Sequence, residues 1–70
     1  HDALFQQGIA ALQAGDHRTA IQCFSELTRR FPERGHDWFL LGAAWHGAAN
    51  LQRAKNAFAQ AIALDAHHFD

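Results

Sequence analysis

The apolar residues of this chain recur in four stretches of helical periodicity, separated by short breaks. From residue 2 to 14, Leu4, Gly8 and Ala11 form one stripe, and Phe5, Ile9 and Leu12 form a second beside it. Both have the i, i+4, i+7 spacing of a helix face. Gly15-Asp16 interrupts them: Gly suits the left-handed residue after a helix, and Asp suits the N-cap of the next. Residues 17–30 carry Ala20, Phe24 and Leu27 inward, with Phe31 continuing the stripe. Arg29 and Arg30 complement the dipole in the last turn. Pro32 closes this helix, because a proline pushes its predecessor out of the helical region. A third helix is predicted over 36–48, with Trp38, Leu41, Gly42 and Trp45 on one stripe. Ala49-Asn50 then stands in place of Gly-Asp: Asn50 still caps, but Ala49 is strained if it takes a positive φ. The fourth helix, 51–64, turns Leu51, Ala54, Phe58, Ala61 and Ile62 inward, with Phe58 and Ile62 wanting a further helix to cover them. Ala66 stands where Pro32 stood, so this end is less sharply stopped. Connections this short force successive helices to pack antiparallel. The expected fold class is all-α, two antiparallel helix–turn–helix hairpins.

The hairpins are related by an internal repeat. A shift of 34 residues aligns Phe5 with Phe39, Gly8 with Gly42, Ala10 with Ala44, Ala14 with Ala48, Ala20 with Ala54 and Phe24 with Phe58. The placement of these identities matters more than their count, since they fall where helices have to touch. Composition agrees: the chain is 49% hydrophobic, and fifteen of its 70 residues are alanine, the best helix former. It is one small domain at most, with roughly 3–5 kcal/mol of net stability expected at this size. That leaves little to hold a strained catalytic geometry.

The pattern of a large residue, Leu-Gly, an aromatic, then Ala, an aromatic, Ala and Pro resembles the tetratricopeptide repeat, a 34-residue helical hairpin. The second unit matches at Trp38, Leu41, Gly42, Trp45, Ala54, Phe58 and Ala61, and the first at Leu4, Gly8, Ala20, Phe24 and Pro32. The first departs at Gln7, Ala11 and Leu27, and the second at Ala66. The resemblance implies repeats over 1–34 and 35–68, residues 69–70 beginning a following element, and an α-solenoid cut from a longer protein. It also implies a protein–protein interaction scaffold or adaptor, not an enzyme, whose first helices line a concave groove. The groove positions are Phe5, Ile9, Leu12, Phe39, Leu40, Ala43 and His46. Some members clamp a C-terminal carboxylate with Lys and Asn; Phe5, Ile9 and Leu40 stand there instead, so that clamp is absent.

The apolar groove stripe lies beside the stripe that the hairpin core claims, so it wants its own partner. Three occupants fit: an apolar or amphipathic helical peptide, a neighbouring repeat, or another copy of the chain in a homo-oligomer. About three repeats are normally needed for stability, which sharpens the question in a chain with two.

Other chemistry is weaker. Six histidines, His1, His17, His36, His46, His67 and His68, suggest a metal site or a pH sensor. No two have the i, i+4 spacing that would bring both to one helix face, so they read as surface groups, with no metal or cofactor expected. Protonating all six takes the formal charge from −1 to +5, so solubility and weak self-contact are expected to change near about pH 6.5, the ordinary imidazole value. The His-Asp pairs at His1-Asp2 and His36-Asp37 fall at helix starts, where an acid favours the dipole. Ser25 has no histidine at a helical neighbour position, and Cys23 reads as a small buried apolar group. The arginines Arg18, Arg29, Arg30 and Arg34 are interspersed with Glu26 and Glu33 and form no concentrated basic face, so no nucleic-acid partner is expected. The longest apolar or glycine run, Trp38 to Trp45, is eight residues, far below the roughly 20 needed for a membrane span. Nothing in the sequence points to a compartment.

Overall fold

The structure is a computed structural model that describes the backbone of residues 2–68 and the side chains of residues 3–64. Four helices follow in order: α1 (Asp2–Ala14), α2 (His17–Arg30), α3 (Gly35–Gly47) and α4 (Leu51–His68). The described residues contain no strand. The fold class is all-α, as the periodicity predicts.

The first turn closes α1 with a pair of backbone bonds. Gly15, at φ 77°, donates to the Leu12 carbonyl at 3.1 Å, and Asp16 donates to the Ala11 carbonyl at 2.8 Å. This double bond pattern satisfies two of the carbonyls that a helix end leaves orphaned. Asp16 then caps α2 by accepting from the Thr19 N–H at 3.3 Å. Ala49 and Asn50 reproduce the arrangement at the end of α3, donating to the His46 and Trp45 carbonyls at 3.0 and 2.9 Å. Asn50 accepts from the Arg53 N–H at 3.3 Å. Ala49 does take the left-handed conformation, at φ 65°. α3 begins and ends one residue earlier than the sequence predicts. The larger difference is α4, which runs past residue 64 to His68. Without a proline at Ala66, nothing removes a backbone donor or blocks the preceding residue.

Each hairpin closes over its glycine. A Cβ added at Gly8 would lie 2.6 Å from Phe24 Cζ, and one at Gly42 would lie 2.7 Å from Phe58 Cδ1. Both rings sit directly on the backbone of the first helix, a contact only glycine allows. Sequential helices pack against each other, with α2 lying between α1 and α3. The core follows from that position: Ala20, Phe24 and Leu27 of α2 are fully covered, joined by Ala11, Leu41, Ala44 and Ala57.

Two readings of individual positions need correction. Leu51 and Ile62, expected inward, are among the most exposed large side chains, while Ala57 takes a core place beside Ala54 and Ala61. Periodicity finds a stripe, but a helix at the open end of a stack has a neighbour on one side only. Asp37, expected only to complement the dipole of α3, is 2% exposed.

Candidate interaction surface

The predicted groove residues divide by depth. Phe5, Ile9, Leu12 and Leu40 are half-buried and pack against the core. Ala43 is half-buried, His46 is exposed, and Phe39 stands 54% exposed. The stripe is therefore a shallow apolar floor with one projecting aromatic, not a row of side chains left in water.

Aromatic contacts fix the two ends of this floor. Phe5 meets the fully buried Phe24 edge-on, with centroids 6.2 Å apart at 76°. Its ring also lies 5.9 Å from His36, so α1 and α3 touch near their N-terminal ends. Phe39 packs at 5.4 Å on Phe58, the equivalent ring of the second hairpin. A cleft of 580 Å³ opens beside it, lined by His36, Phe39, Ala61, Ile62 and Leu64 among others. The shape of the surface thus comes from the repeat: each first helix lays an aromatic across the ring that its glycine admits.

Of the charged and titratable groups, Glu33 and His36 line the cleft on this surface, and the arginines engage elsewhere. Arg29 and Arg30 both donate to Glu26, which holds that carboxyl below the usual range. Arg34 lies over the Phe31 ring and Arg53 over the Trp45 ring, with 5.5 and 5.1 Å to the centroids. These four arginines are thereby engaged with neighbours of their own chain. Cys23 is a buried free thiol, and burial, aided by the Asp16 carboxylate, pushes its pKa up. That is the opposite of what a reactive thiolate needs. Among the described residues no group of three His, Cys, Asp or Glu side chains is placed to hold a metal ion. The side chains of His1, His67 and His68, and residues 69–70, lie outside the described residues. No helix among the described residues is long and apolar enough to cross a membrane.

Residues 2–34 match the family model of the tetratricopeptide repeat. The first hairpin is a tetratricopeptide repeat. The second carries the same glycine–aromatic contact and the same turn 34 residues later, so the four helices fit two hairpins of the kind. No curated protein and no solved structure matches the chain. Tetratricopeptide repeats are generally protein–protein interaction modules and typically non-catalytic scaffolds. Sequence reasoning missed Leu51 and Ile62 as surface groups. The repeat offset held the needed signal, because their counterparts His17 and Thr28 lie beneath α3, and nothing in the described chain plays that part for α4.

Proposed function

We propose that this chain binds an apolar or amphipathic helical segment of another protein along the first-helix face of its repeats. Phe5, Ile9, Leu12, Leu40 and Ala43 form the floor, and Phe39 and His46 form the rim. The observation that carries this reading is the exposure of Phe39 beside half-buried aliphatic neighbours. An aromatic ring over an apolar floor matches how an amphipathic helix seats its i, i+3, i+4, i+7 anchors. Large aromatics of this kind dominate interface energies. The repeat family supports a protein partner in general, and the missing carboxylate clamp favours an apolar over an acidic ligand.

The test is a selection of displayed amphipathic helical peptides against the purified chain, followed by titration with each variant. Phe5 is a poor probe, since it packs on Phe24 and its loss would disturb the core. Phe39→Ser removes a ring that is 54% exposed, although it also packs on Phe58, so circular dichroism first checks that the variant keeps its helices. Binding should weaken by roughly tenfold or more, the scale of a modest interface anchor. Peptides that bind equally well to Phe39→Ser and Ala43→Asp would refute the groove.

A further inference from the structure

A cleft of 230 Å³ lies where α2, α3 and α4 meet, bounded by Ser25, Trp38, Leu41, Trp45, Arg53 and Asn56. All three walls are helices of the described chain. By the helical repeat of about 3.6 residues, Arg53 and Asn56 lie on the opposite side of α4 from Leu51 and Ile62. On α3, Trp38, Leu41 and Trp45 lie opposite the groove residues Phe39 and Ala43. Both tryptophans of the chain stand in this cleft, half-buried. Trp38 donates its indole N–H to the Pro32 carbonyl at 2.9 Å. Trp45 makes no such bond among the described residues, and the exposed Arg53 guanidinium lies over its ring, 5.1 Å from the centroid. Arg29 and Arg30 share Glu26, but the Arg53 side chain has no carboxylate or hydrogen-bond acceptor among the described residues. The counterparts of Trp38, Trp45, Arg53 and Asn56 are Leu4, Ala11, Thr19 and Gln22. The first hairpin is thus built without the indoles or the cation.

The chemistry of the cleft limits what it takes. Its indole and leucine floor suits an apolar ring. A guanidinium stacked on an indole keeps its in-plane N–H edge for a carboxylate, and the stacking restricts the side chain before a ligand arrives. The volume falls below the roughly 300–1,000 Å³ of a small-molecule pocket, so one side chain of a larger partner fits. Charge points the same way. Residues 17–30 and 51–64 hold Arg18, Arg29, Arg30, Arg53 and Lys55 against a single acid, Glu26, and such a field steers acidic partners to the second helices. We propose that this cleft binds an acidic peptide segment of a partner protein. An aromatic side chain of that segment seats on Trp38 and Trp45, and a neighbouring carboxylate pairs with Arg53. A nucleic acid strand needs a basic groove that tracks its backbone, whereas Arg53 is the one cation lining the cleft. The site is separate from the first-helix groove and stands whether or not that groove is occupied.

The chain has no Tyr and its two Trp both line the cleft, so indole fluorescence and the indole N–H resonances report on it directly. The probe is the peptide acetyl-Glu-Glu-Phe-Glu-Glu-amide, titrated into the whole chain beside its counterpart with Gln for every Glu and a short oligouridylate. The acidic peptide should move the Trp45 resonance saturably, and the Gln peptide should bind roughly fivefold more weakly, the scale of an exposed ion pair. Arg53→Gln, which keeps a good helix former, should weaken the acidic peptide by a similar factor. Asn56→Phe should fill the cleft and abolish the shift, while Phe39→Ser, in the groove, should leave it unchanged. Circular dichroism checks each variant, and if one loses its helices the two peptides on wild type still decide. No saturable shift, equal binding of the two peptides, or full binding by folded Arg53→Gln or Asn56→Phe overturns the proposal. Loss of binding in Phe39→Ser overturns it by placing the peptide in the groove, and preference for oligouridylate overturns it in favour of a nucleic-acid ligand.

Discussion

Ala49 and Asp37 are two residues whose surroundings conflict with their chemistry. Ala49 holds φ 65° at a position that its counterpart Gly15 fills at φ 77°. A left-handed conformation costs an L-residue roughly 1–2 kcal/mol, partly offset because glycine loses more chain entropy on folding. Ala49→Gly is therefore expected to raise stability by about 0.5–1 kcal/mol, read as a higher urea midpoint at unchanged slope. Asp37 is almost fully covered, and burial raises its pKa against the pull of Arg34 and His36. An acid that holds its proton more tightly when folded makes the folded state less favoured as pH rises from its unfolded value of about 3.9 through the raised one. Asp16 and Glu26 act in the other sense. Hydrogen bonds from Thr19 and from Arg29 and Arg30 lower their pKa, so they favour folding above the unfolded values and lose that effect in acid. Asp37→Asn should consequently gain more stability relative to wild type at neutral pH than at about pH 4. Parallel urea melts at both values check this, and an equal difference at both would refute it.

At the scale of elements, the hairpins are built alike and buried unequally. The same glycine admits the same ring in each, yet Phe24 is sealed under α3 while Phe58 is half-open. An added Cβ at Gly8 forces a shift in a side chain with nowhere to go, whereas at Gly42 the ring can swing outward. Overpacking a closed core costs about 1–3 kcal/mol, a large share of what a domain of this size holds. Gly8→Ala is expected to lie in that range and Gly42→Ala well below it, as thermal melts of the two variants will show. Equal losses would mean that the open end is as rigid as the covered one. The length of α4 is also set by one residue. Pro32 ends α2 after Arg30, while Ala66 at the matching position lets α4 continue to His68.

Across the whole molecule, the two hairpins form a flattened body of 36 × 27 × 17 Å, in which α2 packs between α1 and α3, and α3 between α2 and α4. Four helices, their turns and the repeated glycine and aromatic positions were legible in the sequence, because each depends on residues close along the chain or on a fixed 34-residue offset; that each ring packs on its glycine came from the fold. Gly15-Asp16 and Ala49-Asn50 set the turns by backbone conformation and capping, both local effects. The groove was legible as a stripe but not in depth. Periodicity places Phe5 and Phe39 alike, and only packing decides that His36 helps to cover one while the other stands half in water. The same holds for Thr28 and Ile62, or His17 and Leu51: each pair shares a register, and its exposure depends on whether another helix lies beyond it. Local sequence therefore determined which face of each helix is apolar. Tertiary structure alone decided which faces remain uncovered, because burial is a property of neighbours distant in the chain.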